Sequence, residues 1–363
     1  MGKSLMLFYL ATILIVNASV LQKLPALNID LVGTTVSGIS SGAYMSGQIH
    51  VALSSFIKGS AIVAGGPVGC TRGYLMYSTT ECMAIPQDLN IKSVDETIDK
   101  LNKDKKIDDI SNLKGAKSYI FAGLKDTIVF PLNGVHLQDQ FNKLGLQLKT
   151  VYDIPAEHAY ITNSFGNVCD FKGSPYINNC SYNQAYETLN YLYGGQLKDS
   201  TKAIDQNLFE FNQQNYFSSF MTSLYSSGYV YIPTNCADGK TKCRLHINFH
   251  GCKQSVEVLG KNYITMIGIN DVAEANDIIV LYPQIVKSPI FPFNPEGCWD
   301  WWGYTEWNSM LAPTGYYNLN SAGLNFLSKD GLQIKSVWKM AQDLAAGNKA
   351  SQQLEYEQEQ EQE

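Results

Sequence analysis

From residue 29 onward the chain alternates between short apolar, β-branched runs and longer segments whose apolar residues recur at helical spacing. Residues 29–37, rich in Val, Leu and Thr, read as a strand that runs into the cluster Gly38-Ile39-Ser40-Ser41-Gly42. After it, Met45, Ile49, Leu53 and Phe56 fall on one helical face, so the order is strand, sharp turn, helix. Residues 60–64 and 117–122 read as further strands, the second followed by the loop Gly123-Leu124-Lys125-Asp126. The polar stretch 92–112 reads as a surface helix pair and 135–144 as a helix. Residues 146–154 alternate as a strand should and end in Pro155-Ala156-Glu157-His158. Residues 163–227 are polar and rich in Tyr and Asn, and are expected to form a lid or lobe. Strands are expected again at 229–233, 244–249 and 278–282, and a last helix at 333–344. Strands alternating with helices argue for an α/β fold around a mainly parallel sheet.

Composition narrows the partners. The chain has 363 residues, 45% of them hydrophobic, which is enough for one large packed domain, expected over residues 19–345. Its net charge of −6 is concentrated at the end, where Glu355, Glu357, Glu359, Glu361 and Glu363 alternate with polar residues. Without those five the balance is 28 acids to 27 bases, so no basic surface is offered to nucleic acid or anionic lipid. Residues 346–363 are expected to be a disordered Glu/Gln-rich tail. At the other end Lys3 precedes an apolar run over residues 5–16, and Val16-Asn17-Ala18 supplies the small residues of a cleavage site. Residues 1–18 therefore read as a signal peptide, with an uncleaved anchor as the plain alternative, and the run falls short of the roughly 20 residues that span a bilayer. The expectation is a secreted, extracellular protein, monomeric and free of the membrane after cleavage.

The eight cysteines fit that compartment. They contain no CxxC pair, and no metal-ligand spacing is present, so neither a metal nor another cofactor is expected. Proximity along the chain pairs Cys70 with Cys82, Cys169 with Cys180, Cys236 with Cys243 and, by elimination, Cys252 with Cys298, although other connectivities stay open. Asn179-Cys180-Ser181 is a glycosylation sequon.

The chemistry is read from the turn at 38–42. Gly-x-Ser-x-Gly is common by chance, and an ordinary tight turn is the plain alternative. A strand before it and a helix after it are what a nucleophile elbow needs, with Ser40 as nucleophile and the Ser41 amide at the helix N-terminus facing an oxyanion. Ser41 is the lesser candidate because it lies off the centre of the motif. A serine needs an imidazole to take its proton. Of the five histidines, His50 and His136 fall on helices and His246 within a strand, whereas His158 sits in a loop directly after a strand, where an α/β hydrolase presents its base. Asp126 occupies the corresponding place after the preceding strand and is preferred to Asp153 and Asp139 as the orienting acid. The strand 246–249 runs into His250-Gly251-Cys252, a form suited to the second oxyanion amide, yet it lies about 210 residues downstream of the elbow rather than upstream. A circularly permuted hydrolase accounts for that order, with His250 shaping the loop.

These residues, together with Gly38-Ile39-Ser40-Ser41-Gly42-Ala43-Tyr44-Met45, Gly123-Leu124-Lys125-Asp126-Thr127, Glu157-His158, the run 245–252 and Gly297-Cys298-Trp299-Asp300-Trp301-Trp302-Gly303-Tyr304, resemble the single-domain, circularly permuted poly(3-hydroxybutyrate) depolymerases and related secreted esterases. The resemblance implies a circularly permuted α/β-hydrolase with helices on both faces of the sheet. It implies Ser40, Asp126 and His158 as the triad, and the amides of Ser41 and Cys252 as the oxyanion hole. It implies a Cys252–Cys298 bridge that ties the oxyanion loop to the tryptophan block, and substrate contact by Trp302 and Trp307. The expected substrate is a polyester. A small or plant-derived ester, as in a feruloyl esterase, and an inactive secreted binding protein are the alternatives. The chain departs from the family pattern before the base, where Glu157 stands in place of an expected glycine.

Overall fold

The computed structural model describes residues 21–306 and 324–347. The expectations for 1–18, for Trp307 and for nearly all of the acidic tail lie outside the described residues. In chain order the elements are β1 (Thr34–Ile39), α1 (Ser41–Ala52), β2 (Ile57–Val63), α2 (Leu75–Thr79), α3 (Ile91–Lys103), β3 (Lys117–Phe121), α4 (Leu132–Lys143) and β4 (Gln147–Val151). Then follow β5 (Tyr160–Thr162), β6 (Asn167–Val168), β7 (Ile177–Asn179), α5 (Gln184–Leu192), β8 (Leu208–Asn212), β9 (Ser227–Tyr231) and β10 (Arg244–Phe249). The last are α6 (Val256–Leu259), α7 (Asn262–Met266), α8 (Ile269–Ala275), β11 (Ile278–Tyr282) and α9 (Leu332–Leu344).

Eight strands form one sheet in the order β4-β3-β2-β1-β10-β11-β9-β8. The six from β4 to β11 are parallel, and β9 and β8 are added antiparallel at one side. Alternation along the strands divides the core between the two faces. Val36, Ile62, Ile120, Ile247 and Leu281 pack with α1, α3, α4 and α9. Ile39, Val63, Phe121, Val280 and Tyr282 pack with α5, α7 and α8 on the other face. A sheet covered on both faces is how parallel strands bury their apolar side chains.

Two departures from the sequence reading affect the site. The first strand begins at Thr34 and runs through Gly38 and Ile39, and the helix begins at Ser41, so only Ser40 makes the turn. The region 163–227 puts α5 against β2 and β3 and inserts β8 into the main sheet beside β9. Its first part supplies β6 and β7, which join β5 in a small sheet, β5-β7-β6, closed by the Cys169–Cys180 bridge. Periodicity could not separate these roles, because strands of two or three residues leave too little alternation to read.

Candidate active site

Ser40 bridges β1 and α1 with φ 56° and ψ −122°, a backbone that a side chain seldom adopts and that costs about 1–3 kcal/mol. The turn persists because its surroundings leave no other path. A Cβ on Gly38 would lie 2.3 Å from the Gly42 carbonyl oxygen, and one on Gly42 would lie 2.3 Å from the carbonyl oxygen of Phe249. Both glycines are thus fixed by close backbone approach. The neighbouring Ser41 is 2% exposed, and its hydroxyl accepts from the Trp299 amide at 3.2 Å. That engagement leaves Ser40 as the serine that opens onto the cavity.

Asp126 and His158 meet beside it. The Asp126 Oδ2 atom lies 2.8 Å from His158 Nδ1, with the two residues 2% and 5% exposed. The other carboxylate oxygen accepts from the amides of Ile128 and Val129, both at 2.9 Å. This holds the carboxylate in one orientation and places a proton on His158 Nδ1, so Nε2 is the nitrogen left to accept one. Asp153 and Asp139 are both exposed. The loops that carry the pair pack tightly: a Cβ on Gly123 would lie 2.4 Å from the Ala156 carbonyl oxygen.

Because β10 pairs directly with β1, with Gly38 opposite Phe249, the loop His250-Gly251-Cys252 leaves the sheet next to Ser40. A Cβ on Gly251 would come within 3.3 Å of the Ser40 Cβ. The Ser41 amide belongs to the first turn of α1, where N–H groups have no intrahelical acceptor. Cys252 lines the cavity and is bonded to Cys298. His250 donates from Nδ1 to the Gly251 carbonyl at 2.7 Å and accepts from the Ile285 amide at Nε2. Burial lowers its pKa to about 4, so it is a neutral brace for this loop. Gln254 adds a second brace. Its Oε1 accepts from the Gly251 amide at 2.8 Å, and its Nε2 donates to the carbonyls of Pro175 and Tyr176. The Tyr176 ring in turn stands edge-on to His158.

The remaining histidines stand apart from this chemistry. His50 bonds Ser60 at 2.8 Å, and His246 bonds Thr35 and Ser37 within the sheet. His136 bonds the Pro86 carbonyl. Burial lowers His50 and His246 to about 3.

The tryptophan block winds around a buried carboxylate. Asp300 accepts from the amides of Trp302, Gly303, Tyr304 and Thr305 and from the Thr305 hydroxyl at 2.6 Å. Burial raises its pKa, and these bonds oppose the shift. The fold that results sends Trp299 into the core against Phe249 and turns Trp301 and Trp302 to the cavity. Trp301 stacks on Tyr44 with ring centroids 4.1 Å apart, and the Tyr44 hydroxyl donates to the Cys82 carbonyl. Gln254 carries no sequence signal of its own, and Tyr44 and Asp300 stand inside family-like runs that do not disclose their roles.

The cavity measures about 310 Å³ and is lined mostly by apolar groups, including Leu75, Val129, Phe293, Trp301 and Trp302. Ser40, His158 and Cys252 lie in its wall. Among the described residues, no group of His, Cys, Asp and Glu is arranged to hold a metal ion. An oriented imidazole, a strained serine and backbone amides around an apolar pocket are the parts that acyl transfer to water requires. The disulfides are Cys70–Cys82, Cys169–Cys180, Cys236–Cys243 and Cys252–Cys298.

No family model matches the chain. A poly(3-hydroxybutyrate) depolymerase of Delftia acidovorans is 37% identical over 329 residues, which is 89% of this chain. The chain spans 62% of the length of that relative. A polyhydroxybutyrate depolymerase of Talaromyces funiculosus is 33% identical over 299 residues, covering 77% of this chain and 85% of the relative. Among solved structures, a PHB depolymerase from Penicillium funiculosum superposes with a TM-score of 0.75 at 28% identity, covering 90% of this chain and 99% of the other. A serine-to-alanine variant of a PHB depolymerase complexed with an R3HB trimer gives a TM-score of 0.74 at the same identity and coverage.

Proposed function

Because the chain belongs to the poly(3-hydroxybutyrate) depolymerase family, we propose that it hydrolyses the ester bonds of a poly(3-hydroxybutyrate)-type polyester through an acyl intermediate on Ser40. The observation that carries this reading is that Ser40, at its strained turn, and the Asp126–His158 pair serve one apolar cavity. In the proposed reaction His158 Nε2 takes the Ser40 proton as Oγ attacks the ester carbonyl. The Ser41 and Cys252 amides stabilise the oxyanion of the tetrahedral intermediate. His158 then protonates the leaving alcohol, and the acyl-serine forms. Water attacks the acyl group with His158 again as base, releasing the acid and restoring Ser40. Asp126 keeps the imidazole in the required tautomer and stabilises the imidazolium.

The same reading treats the sheet as circularly permuted. Its support is that β10, late in the chain, lies beside β1, the first strand, and carries the oxyanion loop to the nucleophile. Trp302 in the cavity wall, and Trp307 beyond the described residues, are proposed to contact the polyester. Export accords with the four disulfides, and the secreted chain is proposed to act as a monomer. No helix among the described residues is long and apolar enough to cross a membrane. Asn179 is exposed and open to a glycan.

Clearing of a polyhydroxybutyrate suspension by the purified protein, with release of hydroxyacid, tests the substrate. Release of aromatic acids from plant-derived esters without clearing would reassign it to small esters. No hydrolysis and no fluorophosphonate labelling of Ser40 would leave a binding protein.

A further inference from the structure

Asp126 and His158 stand on loops that leave two different strands, β3 and β4. Their mutual bond is only as well aligned as those loops are. Residues 156–158 run along residues 125–127 and hold Asp126 from both sides. On one side the Lys125 amide donates to the Ala156 carbonyl at 3.1 Å. On the other, Glu157 Oε1 accepts from the Thr127 amide at 2.9 Å and from the Thr127 hydroxyl at 2.7 Å. Glu157 is 6% exposed, and a buried carboxylate needs such partners. The Thr127 hydroxyl also accepts from Lys172 Nζ at 2.9 Å, which brings a positive charge toward the carboxylate through one shared oxygen. Lys172 lies in the loop that the Cys169–Cys180 bridge closes, and the Glu157 amide donates to the Cys169 carbonyl.

We infer that Glu157 is a positioning residue that fastens the His158 loop to the Asp126 loop through Thr127. This rests on the reading of Ser40, Asp126 and His158 as a hydrolytic triad. Glu157 acts through the backbone of its neighbours, and the required property is an acceptor oxygen rather than a negative charge.

The test is kinetics of Glu157→Ala and Glu157→Gln on a soluble short-chain ester, normalised to sites titrated with a fluorophosphonate, beside thermal unfolding. Small misalignments of catalytic groups cost large factors in rate, so Glu157→Ala is expected to lower kcat about tenfold at unchanged KM. Glu157→Gln, which keeps the acceptor, is expected to stay within about threefold of wild type. A residue that only stabilised the fold would lower the melting temperature and the number of titratable sites while leaving kcat per site alone. Unchanged kcat in Glu157→Ala, or an equal loss in Glu157→Gln, overturns the inference. If Glu157→Ala does not fold, Thr127→Val is read instead: a lower kcat at unchanged KM supports the role, and an unchanged kcat rejects it. A wild-type protein that neither hydrolyses the ester nor takes the label fails the triad reading itself, whereas an active wild type with an unaffected variant fails this inference alone.

Discussion

Asp126 and His158 are 32 residues apart in the chain, yet their side chains lie 2.8 Å from each other and both are buried. One oxygen of Asp126 faces the imidazole while the other is saturated by the amides of Ile128 and Val129. The carboxylate therefore cannot turn.

That arrangement makes Asp126→Asn a sharp test. The asparagine Oδ1 keeps the two amide bonds, which leaves its NH₂ group facing His158 Nδ1. The imidazole must then carry its proton on Nε2, the wrong nitrogen for a base. A fall in kcat of about 10⁴ is expected with the fold intact, as for the equivalent change in serine proteases. Ser40→Ala should abolish both hydrolysis and fluorophosphonate labelling, and its melting temperature should be no lower than that of wild type. Retained turnover in either variant, measured with a p-nitrophenyl ester, would remove the triad.

Acid should destabilise the fold through buried histidines. His50 and His246 titrate near 3 and His250 near 4 in the folded protein, against about 6.5 in the unfolded chain. Each folded-state pKa is lowered, so the unfolded chain binds the extra proton. Their stabilising contribution is complete above about pH 6.5 and is lost as pH falls toward 4 and then 3. Glu306, raised to about 8 by burial, works in the opposite sense between pH 4.5 and 8. Asp300, which burial also raises, opposes the histidines in the same way, and the three histidines outweigh the two carboxylates, so stability falls as pH falls from 6.5 to 4.5. Urea unfolding across this range should show it, and His250→Gln should flatten it. A stability flat with pH would contradict the burial of these rings.

Gly42→Ala should damage the protein more than a usual helix substitution. Alanine favours helix, but here its methyl carbon would sit 2.3 Å from the Phe249 carbonyl oxygen and 2.4 Å from that of His250. Either β10 moves away or the elbow does. A loss of about 3 kcal/mol or more in stability is expected, with a smaller fraction of titratable Ser40. A more stable, fully active variant would mean that the β1–β10 contact is looser than described.

The paired change Cys252→Ser with Cys298→Ser removes a bridge that closes 46 residues. Loop-closure entropy puts its contribution at about 4 kcal/mol. The Cys252 amide survives the change, so any loss of kcat in folded protein reports movement of the loop proposed to hold the oxyanion. Chemical denaturation measures the first effect, and kcat per titrated site the second.

Much of this protein is legible in one dimension. The strand, turn and helix around Ser40 are local, and two glycines at fixed spacing mark where backbone must meet backbone. The loops of Asp126 and His158 follow strands whose alternation is plain, and the cysteines lie close in sequence where their loops are short. The rest depends on which strands become neighbours. Pairing of β10 with β1 brings Gly251 to Ser40 across about 210 residues, and no periodicity in either strand encodes that choice. The roles of Gln254, Tyr44 and Asp300 arise in the same way, from groups that acquire partners only after the sheet has closed. Glu157 is the clearest case. In the sequence it is a departure from an expected glycine, and in the fold it is a buried acceptor whose two donors come from the adjoining loop. Hydrophobic pattern sets the elements because burial depends on local period, whereas hydrogen-bond partners are set by tertiary proximity, which the pattern does not carry.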